Sequence, residues 1–257
     1  MDLTTQWLGL ELKNPFVPSA SPLTKSLDTS KALEDAGASA IIMHSLYEEA
    51  VMAFDENMTR FQHQKESGHA VEEEMFPGEL DSYLEQLSAL KASLDIPIIA
   101  NLNGVTPGGW VEHAKELQDA GADALELNVY YVAADIEESG FDIEERYLGL
   151  LEILEDQITI PLNMKLSPFF SSPAHLITLL EPAGAKGVSL FNRFYQPDIN
   201  IETLRLEPML QPSTSADALL AMRWTATLYG RTKPSLGATG GLHTSADAIQ
   251  LLLAGAA

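Results

Sequence analysis

Short apolar runs alternate with longer amphipathic ones along most of the chain, and this alternation predicts a strand followed by a helix seven times over. The predicted strands are Asn14-Pro-Phe-Val-Pro-Ser19, Ala40-Ile-Ile-Met43, Pro97-Ile-Ile-Ala-Asn101, Ala124-Leu-Glu-Leu127, Pro161-Leu-Asn-Met-Lys-Leu166, Gly187-Val-Ser-Leu190 and Pro234-Ser-Leu-Gly-Ala238. Helices are expected at about 26 to 36, 79 to 93, 109 to 120, 144 to 156, 173 to 182, 216 to 229 and 245 to 253. Prolines stand at strand starts, where a missing N–H is tolerated. Strands that alternate with helices pair in parallel, and the mainly apolar character of these fits a sheet covered on both faces.

One phrase recurs where a helix ends and a strand begins. It reads Asp35-Ala-Gly-Ala38, Asp119-Ala-Gly-Ala122 and Pro182-Ala-Gly-Ala185, before strands two, four and six. The glycine suits the left-handed residue that closes a helix, and the alanines let the corner pack close to a sheet. A fourth copy, Leu253-Ala-Gly-Ala256, stands where strand eight would follow. The pattern therefore predicts an α/β protein, a (β/α)8 TIM barrel lacking its last strand and helix in this chain, as a single domain over 1–257. An open doubly wound sheet of seven strands is the alternative. A barrel cut there would leave the edges of strands one and seven unpaired. Two insertions interrupt the repeat. Residues 45–78 suit a lid or packing subdomain, and residues 192–215 carry the alternating Ile199-Asn-Ile-Glu-Thr-Leu204 of a small hairpin.

Composition narrows the functions. A net charge of -22, from 37 acids against 15 bases, argues against unassisted binding to nucleic acid or anionic membrane. No apolar run approaches the roughly 20 residues of a membrane span, and the start lacks a signal-peptide pattern, so a cytoplasmic protein is expected. Zero cysteines exclude disulfides, iron–sulfur ligation and a cysteine base within the chain. No metal site is expected.

In a parallel barrel, chemistry sits at the carboxyl ends of the strands. The polar residues there are Ser19 and Ser21, His44 and Ser45, Asn101 and Asn103, Glu126 and Asn128, Lys165, Asn192 and Arg193, and Thr239. Lys165 is the sharpest, since a cation inside an apolar strand needs a partner or a ligand. A salt bridge to Glu126 on the neighbouring strand is its structural explanation. Ala238-Thr-Gly-Gly-Leu242, running from strand seven toward a helix capped at Thr244 or Ser245, has the outline of a phosphate cradle, although such glycine pairs equally serve as plain turns. A buried cation, converging amides and a glycine turn together suit a flavin. Its ring gathers negative charge at N1 and O2 on reduction, where a lysine stabilises it.

Nearly the whole chain resembles the dihydroorotate dehydrogenase family, flavin mononucleotide (FMN) barrels, and most closely its dihydroorotate dehydrogenase-like proteins. The resemblance rests on Lys13-Asn-Pro-Phe16 with Ser19-Ala-Ser21, Glu126-Leu-Asn128, Met164-Lys-Leu-Ser-Pro168, Phe191-Asn192, and Ala238-Thr-Gly-Gly-Leu242 with Asp247. It implies Ala20 and Ser21 against the flavin, Asn101, Asn128 and Lys165 bonded to its ring or ribityl chain, Asn192 near substrate and ring, and Gly240 and Gly241 at the phosphate. It also implies a small-molecule substrate and pyrimidine biosynthesis, and leaves room for a redox partner protein and a homodimer. Two departures stand out. Met43-His44-Ser45 replaces a Thr-Lys-Ser type motif, and Tyr130-Tyr131-Val132-Ala133 replaces Ser-Cys-Pro-Asn or Ser-Ser-Pro-Asn. Tyr131 thus takes the place of the base, although a phenol of ordinary pKa near ~10 abstracts protons poorly at neutral pH.

Three readings follow. In the first, the protein is an FMN-dependent oxidoreductase, with Lys165 stabilising the reduced ring and Tyr131 or His44 moving the proton. In the second, it is a non-redox phosphate-binding barrel, an isomerase or aldolase with Lys165 as Schiff-base or electrostatic residue. In the third, it binds flavin without turnover.

Overall fold

The computed structural model describes residues 2–48, 79–106, 113–193, 196–209 and 212–257. Most of the predicted 45–78 insertion lies outside the described residues. The central sheet has seven strands and is parallel: β3 (Ile41–Ile42), β4 (Leu46–Tyr47), β5 (Ile98–Asn103), β6 (Ala124–Asn128), β7 (Leu162–Leu166), β8 (Ala185–Leu190) and β11 (Ser235–Ala238). Sequential strands are neighbours throughout, with β3 and β4 both pairing β5. The sheet curls through 216° with helices outside it, the arrangement of a (β/α)8 barrel rather than of an open doubly wound sheet.

Predicted strand one is present as an extended run with little ladder. Phe16 and Pro18 accept N–H bonds from Ser39 and Ile42 at 3.0 and 3.1 Å, but Pro15 and Pro18 have no N–H to return. The curl is open between this run and β11. At that edge Ala257 donates its N–H to the Leu236 carbonyl at 2.9 Å.

The helices follow the predicted order: α1 (Leu27–Asp35), α2 (Glu79–Ser93), α3 (Ala114–Asp119), α4 (Gly140–Gln157), α5 (Pro173–Leu180), α6 (Ala218–Leu228) and α7 (Ser245–Ala254). Helix α4 starts earlier than its apolar period suggests, because its first turn is set by a capping box in which Ser139 and Asp142 satisfy each other's backbone. Residues 109–112 of the predicted third helix lie outside the described residues. The glycines of the four Ala-Gly-Ala copies stand at φ 105–113°, the left-handed closing position their pattern demanded. Each unit is tied to the next at these corners. Lys91 on α2 reaches Asp123 at 2.7 Å, Gln118 on α3 accepts from Thr159 N–H at 2.7 Å, and Glu181 after α5 meets Lys233 at 2.6 Å.

Among the described residues, two hairpins stand outside the repeat. One lies in the 192–215 insertion, β9 (Gln196–Asn200) against β10 (Arg205–Met209), antiparallel, and most of the alternating run, residues 201–204, forms its turn. The other, β1 (Thr5–Trp7) with β2 (Leu10–Leu12), was not predicted, and it closes the barrel floor. Its buried Trp7, Leu8 and Leu12 pack on Ala40, Ile42, Ile99 and Ala124 inside the sheet. Residues of opposite parity, such as Ile41, Ile98, Ala100, Leu125, Leu127, Met164 and Val188, face the helices. The strands are covered on both faces, as their composition implies, but only the outer face is wholly apolar.

Asp142, Asp217 and Asp247 each accept backbone and hydroxyl bonds at a helix start, and each carboxyl is held below its ordinary value. Asp247 is lowered to about 2, chiefly by the His243 N–H, then by Ser215 and Thr244. A carboxylate depressed in the folded state contributes stability above its unfolded pKa and loses it as pH falls through the folded value. Stability should therefore decline from about pH 4 toward pH 2. The Asp247→Asn chain should show a shallower decline in urea midpoint over that window.

Candidate functional site

The barrel interior above the hairpin floor is polar, because the strands bring polar residues of one parity into register. Asn101 on β5 pairs Glu126 on β6, which pairs Asn163 on β7. One step nearer the carboxyl ends, Asn103, Asn128, Lys165 and Ser189 form a second row. Glu126 is the hub and is 1% exposed. Its Oε1 accepts from Asn101 Nδ2 at 2.8 Å, and its Oε2 accepts from Asn163 Nδ2 at 2.8 Å and Ser189 Oγ at 3.2 Å. Lys165 Nζ lies 3.8 Å from Glu126 Oε1 and donates to Ser19 Oγ at 3.3 Å, tying β7 to the extended run opposite. Such a carboxylate, with three donors and a cation, is buried without an unmet charge. Asn101 Oδ1 and Asn163 Oδ1 are buried with no partner among the described residues. Gly187 makes room beneath the hub, for a Cβ there would stand 2.3 Å from Leu8 Cδ2.

Lys165, Glu126 and Ser189 share the wall of a cavity of about 380 Å³ that opens between residues 15–19 and β11. Ala20 is half-buried against the inner apolar cluster. The Ser21 hydroxyl is used locally, accepting from Leu23 N–H at 3.3 Å as the cap of a single 3₁₀ turn at Pro22–Thr24. At the mouth, Asn192 Nδ2 donates to Asn128 Oδ1, and Asn192 N–H bonds to the Leu166 carbonyl at 2.7 Å.

The glycine pair divides its roles. Gly240 and Gly241 both have positive φ, 88° and 76°. A Cβ on Gly241 would fall 2.3 Å from the Ala218 nitrogen, so this glycine lets the turn press onto the start of α6. A Cβ on Gly240 would meet nothing within 4 Å. The Asp247 carboxylate takes the N–H groups of His243 and Thr244 at 3.0 and 2.8 Å. The N–H groups of Gly240, Gly241 and Leu242 have no partner among the described residues. That leaves free donors beside open space, the chemistry of an anion cradle.

Among the described residues, neither Tyr131 nor His44 makes a hydrogen bond or ion pair with Glu126. The Tyr131 hydroxyl donates to Glu138 Oε2, Arg146 pairs with Glu138 Oε1, and the Arg146 guanidinium lies 4.0 Å over the Tyr131 ring. His44 packs on Tyr83, with ring centroids 5.0 Å apart, and the Tyr83 hydroxyl accepts the Asn101 N–H at 2.9 Å. Burial, reinforced by Lys25, holds the imidazole below its ordinary pKa, and its Nδ1 has no partner among the described residues. No hydrogen bond or ion pair among the described residues joins His44 or Tyr131 to Lys165.

Sequence reasoning set Glu126 among the strand-end residues and paired it with Lys165, but it did not make Glu126 the hub, did not bring in Asn163 and Ser189, and did not put Glu138 and Arg146 beside Tyr131. For the first three the signal was parity: 126 and 128, 163 and 165, and 187 and 189 are alternate positions of consecutive strands. Glu138 and Arg146 follow Tyr131 by 7 and 15 residues across a loop and a helix start, and no local pattern links them.

Among the described residues no helix is long and apolar enough to cross a membrane, and no cluster of His, Asp and Glu could hold a metal ion. The model of the family Dihydroorotate dehydrogenase matches residues 2–257. The chain is 26% identical to the dihydroorotate dehydrogenase B (NAD(+)) catalytic subunit of Shouchella clausii, over 96% of this chain and 82% of that protein. It is 29% identical to dihydroorotate dehydrogenase A (fumarate) of Lactobacillus delbrueckii subsp. bulgaricus, over 70% and 61%. It is 30% identical to the dihydroorotate dehydrogenase B (NAD(+)) catalytic subunit of Caldicellulosiruptor saccharolyticus, over 67% and 58%. In the second and third comparisons it spans less than two thirds of the relative's length.

Proposed function

The chain belongs to the dihydroorotate dehydrogenase family, a family of oxidoreductases, and on that footing we propose that it is an FMN-dependent oxidoreductase acting on a small substrate. The observation that carries the reading is Lys165: an ammonium group inside the barrel, anchored by Glu126 and Ser19 and facing the cavity beside strand one. Bound FMN would supply an acceptor for a hydride equivalent from the substrate.

The residues present fit that group in three respects. Lys165 offers a cation where negative charge would gather on reduction. The Asn128–Asn192 pair at the mouth offers amide donors and acceptors for a ring or a ribityl chain. Gly240, Gly241 and Leu242 offer unpartnered N–H groups for a phosphate, with no side chain of Gly240 in the way. Asn101 contributes by holding Glu126. Ser21 would contribute through its backbone, since its hydroxyl caps the turn.

Proton transfer falls to Tyr131. Its hydroxyl already donates to Glu138, so a substrate proton arriving at the phenol oxygen displaces the phenol's own proton onto the Glu138 carboxylate. Arg146, paired with Glu138 and stacked on the ring, holds the two in line. This relay replaces the Ser-Cys or Ser-Ser base of the resemblance, and it favours a substrate other than dihydroorotate. Purified full-length chain should bind FMN on titration, with perturbed flavin absorbance. Dihydroorotate should then reduce the bound flavin slowly or not at all under anaerobic conditions. A chain that leaves the FMN spectrum unchanged at saturating concentration overturns the flavin reading.

A further inference from the structure

We infer that Glu126 is a positioning residue for the flavin chemistry: the buried Asn101–Glu126–Asn163–Ser189 cluster fixes the Lys165 ammonium and offsets part of the positive charge a reduced flavin would feel. The inference rests on the FMN reading above and deepens it.

Three observations converge. First, Glu126 takes three donors, from Asn101, Asn163 and Ser189, on three different strands, and so has little freedom to move. Second, its free approach is toward Lys165 Nζ, 3.8 Å from Oε1, close enough for strong charge coupling but longer than a direct hydrogen bond. The ammonium is therefore pinned on one side by Ser19 and steered on the other by a fixed negative charge. Third, Asn101, Glu126 and Asn163 lie inside the barrel beneath the row that holds Lys165 and Ser189, where water screens charge much less; Glu126 is 1% exposed and Asn101 and Asn163 are both fully buried. A plain structural salt bridge would not need two buried asparagines to orient its carboxylate, each leaving its own Oδ1 without a partner.

The sign follows from charge. Lys165 favours the reduced, anionic ring, and a fixed carboxylate beside it weakens that preference. In the full-length chain loaded with FMN, Glu126→Gln should raise the ratio of affinities for reduced over oxidised FMN about tenfold, a rise of about 30 mV in the two-electron midpoint. The same substitution made in a Lys165→Met background should raise the midpoint by clearly less, because only the direct field of the carboxylate on the ring is then lost and the part that passes through the ammonium is already gone. A residue that only holds the fold would shift both backgrounds alike. Should Glu126→Gln fold poorly, Ser189→Ala and Asn163→Ala keep the charge but loosen its seat, and each should move the midpoint in proportion to the lost order.

A second readout needs no flavin. Reductive methylation of Lys165 by formaldehyde and borohydride, followed by peptide mass, should run severalfold faster in Glu126→Gln than in the parent. Failure of both chains to bind FMN overturns the functional reading and leaves the methylation comparison to decide the coupling. An unchanged midpoint in a flavin-loaded Glu126→Gln chain, or equal methylation rates, overturns the inference.

Discussion

Glu126→Leu should be among the most destabilising single substitutions in this chain, lowering the urea midpoint by the equivalent of about 3–5 kcal/mol. The leucine fits the space but accepts nothing. It strands the Asn101 amide and the Ser189 hydroxyl proton, takes one of the two acceptors of the Asn163 amide, which keeps Ser189 Oγ at 2.8 Å, and leaves Lys165 facing an apolar side chain. An unmet buried donor costs roughly 1–3 kcal/mol, and the members of one network do not add independently. Against a total stability of about 5–15 kcal/mol, the loss is large. Glu126→Gln should be much milder, because Asn163 Oδ1 has no partner and a flipped Asn163 amide would accept from the new side chain. A urea midpoint for Glu126→Leu equal to that of the parent would show that the polar row contributes nothing net to the fold.

The contrast explains what could be read from the chain and what could not. Barrel order was legible because it depends on local chemistry: left-handed glycines at the Ala-Gly-Ala corners, prolines at strand starts, and apolar runs facing the helices. The hairpin floor was not, because Thr5–Leu12 is too short to show a period and its turn at Leu8-Gly9 puts a leucine at positive φ. Lys165 was found because it breaks an apolar strand. Glu126 and Asn163 also break their strands, but their meaning lies in register across three strands, and register is a tertiary fact. Ser21 shows another limit: the resemblance set the residue against the flavin, while the use of its hydroxyl as the cap of a local turn is seen only in the fold. Tyr131 was placed by resemblance alone, and its two partners come from the loop before α4 (Glu138) and from α4 itself (Arg146), which begins 9 residues later.

Lys165→Met should separate stability from chemistry in the other direction. Methionine keeps the length and most of the packing of the lysine stem. Glu126 keeps its three donors, so the carboxylate left behind is still well solvated by the protein, and the urea midpoint should fall by less than in Glu126→Leu. What disappears is, among the described residues, the one cation that faces both the hub and the cavity. Removing a fixed electrostatic stabiliser from a water-poor site lowers rates by about 10²–10³. The FMN-loaded Lys165→Met chain should therefore lose turnover with its donor by that factor, while its affinity for oxidised FMN changes much less. Its preference for reduced over oxidised FMN should fall at least tenfold, opposite in sign to Glu126→Gln. Opposite shifts are what two opposite charges 3.8 Å apart, acting on one ligand charge, require, and their non-additivity in the double variant measures the coupling. A Lys165→Met chain that binds and reduces FMN as the parent does would place the stabilising charge elsewhere and remove the observation on which the flavin reading stands.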